Sequence, residues 1–245
     1  MELADKRVLV TGANRGLGRA LVLACAAAGA SEVLAGARRP EEVENFVSAD
    51  DAQGTHITPV RLAVTSDEDV RTVAELGRVD VLINSAGIAV YGGVLKAELA
   101  DVRREIEVNY FGVLRMVRAC APAMIAHGDG LIVNVASILG KVSLPMLGTY
   151  CATKAALLAL SQALRGDLSE RGVRVITVVP GTIDTDMSRA FAGPKMSATQ
   201  AAAEIVEAMR RETVETLIGD EAREIFAGLK ADPLAMEQAF AQHRA

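Results

Sequence analysis

Short, almost wholly apolar segments alternate along this chain with longer segments that have helical spacing. Seven segments have the length of strands and lie at residues 8–10, 33–35, 57–62, 79–83, 131–135, 173–179 and 216–218. Because they lack the polar alternation of a strand with one wet face, we expect both faces of their sheet to be buried. Strands that alternate with helices usually pair in parallel through right-handed crossovers. The order predicts an α/β fold in which residues 1–245 form one domain, a doubly wound parallel sheet of about seven strands with helices on both faces.

Several helix boundaries can also be read from the sequence. The predicted helices cover residues 16–28, 66–77, 97–126 and 149–170, a segment that begins at residue 197, and the tail from 232 to 245. Ser66 with Asp69, and Ser197 with Gln200, have the three-residue spacing of a helix N-terminal cap.

The charge balance and composition exclude several classes of partner. The chain carries 26 basic and 31 acidic side chains, so its net charge is -5 and no basic surface for a nucleic acid is expected. Aromatic residues make up 3%, with no Trp, which leaves no stacking platform for single-stranded bases. No apolar run approaches the ~20 residues of a membrane span, and the polar-interrupted start is unlike a signal peptide. We therefore expect a cytoplasmic protein without a nucleic acid or membrane partner.

Cysteine and histidine are few and scattered. They lie at Cys25, Cys120, Cys151, His56, His127 and His243. An odd, unclustered set of cysteines argues against a disulfide framework, and the dispersed histidines argue against a metal site.

A glycine-rich loop follows the first predicted strand and opens the first predicted helix. Residues 11–18 read TGANRGLG, which spaces the glycines as G-x3-G-x-G. Glycines permit a tight turn and a close approach of backbone to a pyrophosphate, and the helix N-terminus adds free N–H groups and a positive dipole end. The loop thus predicts a Rossmann-type dinucleotide site, with a glycine-rich turn that binds nothing as the alternative.

Five motifs in a fixed order resemble the short-chain dehydrogenase/reductase family in its classical form. The motifs are residues 11–18, NSAG at 84–87, Asn109 within a long helix, Ser137 thirteen residues before a Y-x3-K pair at Tyr150 and Lys154, and PGTIDT at 180–185. The resemblance covers roughly residues 5–220. It implies a nicotinamide cofactor held by Gly12, Asn14, Arg15, Gly16, Leu17, Gly18, Arg38, Val64, Asn84, Ala86, Gly87, Tyr150, Lys154, Pro180, Gly181, Ile183 and Thr185.

The second predicted strand ends in arginines, without the carboxylate that often binds the adenosine ribose. Arg38 lies at this tip and Arg15 lies in the glycine loop. Guanidinium groups pair well with phosphate, so we predict NADP(H) over NAD(H). The family usually has Asp where this chain has Ala63, so a contact with adenine there must come from backbone, for which Val64 is our candidate.

Tyr150 and Lys154 lie four residues apart on a predicted helix and therefore share one face. A nearby ammonium should lower the phenol pKa, and an oxidised nicotinamide should lower it further. Tyr150 would then exchange a proton with the substrate. The family resemblance implies that Lys154 also binds the nicotinamide ribose and that Ser137 holds the substrate oxygen. An ordinary helix pair is the alternative.

Asn109 falls on the apolar stripe of its predicted helix, where a buried amide must find hydrogen bonds. One interpretation is a structural Asn bonded to a neighbouring strand. The family resemblance instead implies that Asn109 holds a water that relays protons to Lys154.

The expected substrate walls are mostly apolar. Ser137, Leu139, Leu144, Tyr150 and Met187 are the predicted contacts, with further walls at Ile138, Val142, Met146, Leu147, Val90, Tyr91, Phe191 and Met196. Core packing accounts equally well for half of these.

These residues predict an NADPH-dependent, reversible reduction of a hydrophobic ketone or aldehyde, with a small-molecule substrate and no metal. A 3-oxoacyl-thioester reductase of the same family is the first alternative, weakly supported by Lys195. A non-catalytic NADP(H)-binding regulatory protein is the second. The resemblance also implies a homodimer or homotetramer, paired through the helices at residues 97–126 and 149–170.

Overall fold

Parallel strands form the centre of the structure, a computed structural model that describes residues 1–47 and 55–242. The strands are β1 (Arg7–Thr11), β2 (Glu32–Ala37), β3 (His56–Arg61), β4 (Val81–Asn84), β5 (Gly130–Val135), β6 (Val173–Pro180), β7 (Ile183–Asp184), β8 (Met196–Ser197) and β9 (Glu215–Ile218). Seven of them form one parallel sheet in the order β3-β2-β1-β4-β5-β6-β9, and β7 pairs with β8 separately. Each apolar segment of the sequence coincides with one strand of the large sheet, so the predicted fold class is confirmed.

Helices cover both faces of the sheet. They are α1 (Gly16–Ala27), α2 (Glu41–Glu44), α3 (Asp67–Glu75), α4 (Leu99–Ile106), α5 (Val113–His127), α6 (Gly148–Leu168), α7 (Ala198–Arg211), α8 (Asp220–Ala231) and α9 (Pro233–Ala241). Successive β1 side chains point to opposite faces: Val8 and Val10 pack in the layer of α1 and α7, and Leu9 packs in the layer of α3, α5 and α6. This two-sided burial explains why the strands are apolar throughout.

The predicted caps start their helices. The Ser66 hydroxyl accepts a hydrogen bond from the Asp69 N–H at the start of α3. Ser197 and Gln200 form a reciprocal capping box at the start of α7. Asp232 is not itself helical but caps α9 by accepting from the Ala235 N–H. The predicted tail helix therefore begins one residue late, and its residues 243–245, including His243, lie outside the described residues.

The prediction of one uninterrupted helix over residues 97–126 is wrong. The structure divides it into α4, a π-helical turn at Glu107–Gly112, and α5. Such wide turns are commonly inserted where a helix serves a functional site, and this one contains Asn109. The short α2 and α8, which follows β9 directly, were not predicted from the sequence.

The strand order reverses between β1 and β4, because β2 and β3 lie on one side and β5, β6 and β9 on the other. In open parallel sheets, ligands bind beyond the carboxyl ends of the strands at this point. None of the helices within residues 1–47 and 55–242 is long and apolar enough to cross a membrane.

Candidate active site

A cavity of about 580 Å³ opens at the carboxyl ends of the central strands. It brings together most of the predicted cofactor residues, namely Gly12, Asn14, Arg15, Gly16, Leu17, Arg38, Val64, Ala86, Gly87, Tyr150, Lys154, Pro180, Gly181, Ile183 and Thr185. Ser137, Leu139, Leu144 and Met187 line the same cavity. Gly18, Asn84 and Asn109 do not line it, and they support the residues that do.

The glycine loop has the close packing that its sequence requires. Gly12 has φ +70°, and a Cβ built on it would lie 2.8 Å from the Ala86 Cα. A Cβ on Gly18 would lie 2.1 Å from the Gly12 carbonyl oxygen, so Gly18 lets α1 start directly against the loop. No side chain caps the N-terminus of α1. Its free N–H groups suit the pyrophosphate of a dinucleotide.

Thr11 joins the glycine loop to the end of β4. Its hydroxyl oxygen accepts hydrogen bonds from the N–H groups of Ser85 and Ala86, both at 3.0 Å. Beneath them, the buried Asn84 amide donates to the Asn134 side chain at 2.9 Å. The NSAG segment is therefore fixed from below, and its exposed backbone forms the floor of the cavity.

A smaller depression continues the cavity past the end of β2. Asn14, Arg15, Arg38, Arg39, Glu42 and Asn45 line it. Glu42 forms an ion pair with Arg39 and accepts a hydrogen bond from the Asn14 amide at 2.6 Å. Arg15 pairs with Asp186 at 2.8 Å. Among the described residues Arg38 has no ion-pair or hydrogen-bond partner, so its guanidinium is available to a phosphate.

Tyr150 and Lys154 lie side by side in the cavity wall. The Lys154 Nζ lies 5.6 Å from the centroid of the Tyr150 ring and donates to the Val135 carbonyl oxygen at 2.8 Å. Ser137 follows β5, and its hydroxyl oxygen accepts from the Leu139 N–H at 3.2 Å. The end of β5 and the first turns of α6 thus bring the three side chains together.

The predicted lowering of the Tyr150 pKa by Lys154 is wrong for the chain by itself. Burial raises the pKa of the Tyr150 phenol, the Ser137 hydroxyl opposes that change, and the Glu105 carboxylate adds to it. Burial also lowers the pKa of Lys154 to about 8. The Lys154 ammonium lies over the ring face and donates to the Val135 carbonyl oxygen, and the structure records no hydrogen bond between it and the Tyr150 hydroxyl among the described residues.

The Asn109 side chain is bonded to protein on both of its ends. Its Oδ1 accepts from the Ile88 N–H at 2.9 Å, and its Nδ2 donates to the Ile88 carbonyl oxygen at 2.9 Å and to the Thr153 hydroxyl at 3.0 Å. Asn109 thus has a structural role, but its partners lie in the loop after β4 and on α6 rather than on a neighbouring strand. The water relay to Lys154 stays a prediction.

Glu105 is a site residue that the sequence analysis missed. Its side chain has no exposed surface, and its Oε1 accepts from the Val90 N–H at 2.6 Å. A charged residue four positions before Asn109 lies on the same inward face of a helix. That spacing is the signal that could have revealed it.

The far end of the cavity is apolar. Leu139, Leu144 and Met187 lie there as predicted, together with Ile138, Leu147, Tyr91 and Phe191. The other predicted walls, Val142, Met146, Val90 and Met196, do not line the cavity. The Tyr91 hydroxyl donates to the Met187 carbonyl oxygen at 2.5 Å and so braces the segment after β7. Phe240 of α9 packs against the apolar cluster that contains Leu144 and Tyr150 and lines the cavity, a wall that the sequence did not predict.

Known proteins are similar to this chain in sequence and in fold. The family model described as short chain dehydrogenase matches residues 6–195. A short chain dehydrogenase from Burkholderia cenocepacia J2315, solved in complex with NADP, is 38% identical with a TM-score of 0.90, over 98% of this chain and 99% of that one.

Two curated relatives match three-quarters of this chain and a different share of their own length. A dehydrogenase/reductase SDR family protein 7-like from Anopheles gambiae is 36% identical over 76% of this chain and 62% of its own. The chain therefore spans about three-fifths of that relative. The 3-oxoacyl-(acyl-carrier-protein) reductase FabG of Staphylococcus epidermidis is 31% identical over 76% of this chain and 79% of its own.

Proposed function

Because the chain belongs to the short-chain dehydrogenase family, a family of oxidoreductases, we propose that it reduces a hydrophobic ketone or aldehyde to the alcohol with NADPH. The reaction is reversible. The observation that carries the proposal is that Ser137, Tyr150 and Lys154 line the same cavity as the glycine loop and Arg38.

NADP(H) is the cofactor, and the cavity suits its chemistry. The glycine loop and the open start of α1 would hold the pyrophosphate, and the unpaired Arg38 with Arg15 would hold the 2′-phosphate. Lys154 would hydrogen-bond the nicotinamide ribose, and the residues from Pro180 to Thr185 would hold the nicotinamide. NADP was also bound to the Burkholderia cenocepacia relative.

When bound, NADPH supplies a hydride, with its two electrons, to the carbonyl carbon. The chain's own residues bind the substrate carbonyl oxygen and protonate it. Ser137 donates a hydrogen bond that holds it, and Tyr150 transfers its phenolic proton to it as the C=O π bond is lost. The Lys154 ammonium stabilises the resulting phenolate. Solvent then reprotonates Tyr150 through Lys154 and a water held at Asn109.

The substrate class follows from the far end of the cavity. Leu144, Leu147, Phe191 and Phe240 surround the space beyond Ser137 and Tyr150 with apolar surface. Burial of apolar substrate groups there is favourable by ~25 cal/mol per Å². A hydrophobic group beside the carbonyl therefore suits this pocket.

A 3-oxoacyl-thioester reductase is the second candidate, favoured by the similarity to the Staphylococcus epidermidis protein. Lys195 does not favour it, because its ammonium donates to the Ser188 carbonyl oxygen at 2.8 Å and is tied to its own loop. The two candidates differ in the ratio of kcat/KM for an aryl ketone to that for an acetoacetyl thioester. A ratio well above one supports the ketone reductase, and a ratio well below one supports the thioester reductase.

Tyr150→Phe tests the proposed chemistry. It removes the proton donor while keeping the ring, so ketone reduction should fall by roughly 10²- to 10⁴-fold. NADPH affinity, measured by fluorescence titration, should stay within a few fold of the original. The matched control is Tyr110→Phe, since the Tyr110 ring contacts Phe111 and Tyr110 is not one of the residues that line the cavity.

Unchanged reduction in Tyr150→Phe would contradict the assignment of the donor. NADPH binding without turnover of any ketone, aldehyde or thioester by the unaltered protein would favour the regulatory alternative.

A further inference from the structure

One carboxylate is buried on α4, a helix that packs against α6, which carries Tyr150 and Lys154. Glu105 on α4 has 0% exposed surface, and its Oε1 accepts a hydrogen bond from the Val90 N–H. Among the described residues its Oε2 has no hydrogen-bond partner, although the Thr149 hydroxyl is near enough to lower its pKa. A buried carboxylate is costly unless a positive charge compensates it.

The compensating charge is Lys154. Burial raises the pKa of Glu105, whereas the Thr149 hydroxyl and the Lys154 ammonium lower it. In the reverse direction, burial lowers the pKa of Lys154 and Glu105 raises it. The two do not form an ion pair within 4.0 Å, and both side chains are buried.

The other ionisable groups near Glu105 are neutral or directed elsewhere. On α6, its charge raises the pKa of Tyr150 and of Cys151. On its own helix, Arg104 and Asp101 are paired with each other at 3.2 Å on the outer surface. Arg104 also lines the cavity, but Lys154 is the buried cation whose charge lowers the pKa of this carboxylate.

We propose that Glu105 is a positioning residue, a buried counter-charge that keeps the Lys154 ammonium and the Tyr150 phenol protonated inside the cavity. The proposal rests on the proposed function, in which both groups carry the proton. Without a negative neighbour, an ammonium held away from water would lose its proton near neutral pH.

A purely structural role would be to anchor the loop at Val90. Glu105→Gln separates the two roles, because the amide oxygen still accepts from the Val90 N–H while the charge is lost. Glu107→Gln is the matched control. Glu107 lies two residues later, is partly exposed and pairs with Arg115 at 2.6 Å. The control substitution therefore removes one negative charge outside the cavity.

The first measurement does not need turnover. In cofactor-free protein labelled with ¹³C-lysine, the Lys154 signal is the one absent from Lys154→Met, and its chemical shift gives the titration midpoint. We expect Glu105→Gln to lower that midpoint by roughly one pH unit, as for a unit charge acting over several ångströms of protein. Glu107→Gln should leave it unchanged.

The second measurement is the pH profile of kcat/KM for ketone reduction. Reduction needs protonated Tyr150 and Lys154, so the rate falls as the pH rises through their pKa values. Loss of the Glu105 charge lowers both pKa values. The alkaline limb should therefore move to lower pH whichever group controls it, while Glu107→Gln keeps the original profile.

An unchanged Lys154 midpoint in Glu105→Gln overturns the proposal. Absence of ketone reduction in the unaltered protein, with a shifted midpoint in Glu105→Gln, overturns the proposed function and leaves the charge coupling intact. If Glu105→Gln does not fold, Glu105→Met removes the charge with an apolar chain of similar length and predicts the same shift.

Discussion

At the adenosine end of the cavity, three arginines and one glutamate share a small depression. Glu42 holds Arg39 and Asn14, and Asp186 holds Arg15, which leaves Arg38 as the unpaired cation there among the described residues. A phosphate at this position would gain charge-assisted hydrogen bonds from Arg38 without displacing an internal partner.

Arg38→Ala should therefore weaken NADPH more than NADH. A hydrogen bond to a charged group contributes ~1.5–3 kcal/mol, so the dissociation constant for NADPH should rise by roughly 10- to 100-fold. The constant for NADH, which lacks the phosphate, should change by less than a few fold. Fluorescence titration with both nucleotides measures the ratio.

Arg71→Ala is the control for that experiment. Arg71 is exposed on α3, away from the cavity, and its loss changes the net charge equally. A similar loss of NADPH affinity in this variant, or an unaltered nucleotide preference in Arg38→Ala, would contradict the role of Arg38.

The sequence identifies a site residue where its position relative to a strand is enough to place it at the cavity. Arg38 ends a strand, and strand ends face the ligand crevice. Glu42 and Glu105 were missed for the opposite reason. Each is a carboxylate on a helix, and whether it faces inward depends on a contact with a distant segment, the Asn14 amide or the Val90 N–H.

At the level of elements, the π-helical turn is the main departure from the predicted fold. The apolar stripe on either side of it has ordinary helical spacing, so the sequence predicts one helix. In the structure, Asn109 in the turn bonds both backbone groups of Ile88, and Gly112 packs against Val64. These contacts join segments far apart in sequence, which local spacing cannot reveal.

Gly112 therefore tests whether this element is set by tertiary contact. In most helices, Gly→Ala stabilises by up to ~1 kcal/mol. At Gly112 a Cβ would lie 2.6 Å from the Val64 Cγ2 and 3.1 Å from the Val64 Cβ. Because Val64 is stiff at χ1, we expect Gly112→Ala to lower the free energy of unfolding by ~1–3 kcal/mol. Val64 also lines the cavity, so NADPH binding should weaken.

Gly166→Ala supplies the comparison. Gly166 lies in α6, and a Cβ there would have nothing within 4 Å. Its replacement should raise the free energy of unfolding by ~0.5–1 kcal/mol. Urea denaturation of both variants measures whether each substitution lowers or raises the free energy of unfolding. A stabilising Gly112→Ala would mean that the turn relaxes away from Val64.

At the scale of the whole molecule, the outer face of α6 is made of small side chains. Ala152, Ala155, Ala159 and Ala163 are exposed along it. Large apolar side chains are also exposed at Leu95 before α4, at Leu99 in its first turn and at Phe111 in the π-helical turn. Both α4 and the π-helical turn pack against α6, and exposed apolar patches commonly mark an interface. We expect a second copy of the chain to cover it, giving a homodimer or homotetramer.

Ala159→Glu places a charge in the middle of that face. A small residue lets two helix axes approach closely, and an unpaired carboxylate between them would be desolvated at a cost of several kcal/mol. Light scattering coupled to size exclusion should therefore give an oligomer for the original protein and a smaller species for Ala159→Glu. Ala74→Glu on α3 makes the same substitution at an exposed alanine away from α6 and should leave the mass unchanged. If the original protein is a monomer, the expected interface does not exist. If Ala159→Glu forms an oligomer of the original mass, the interface lies elsewhere on the molecule.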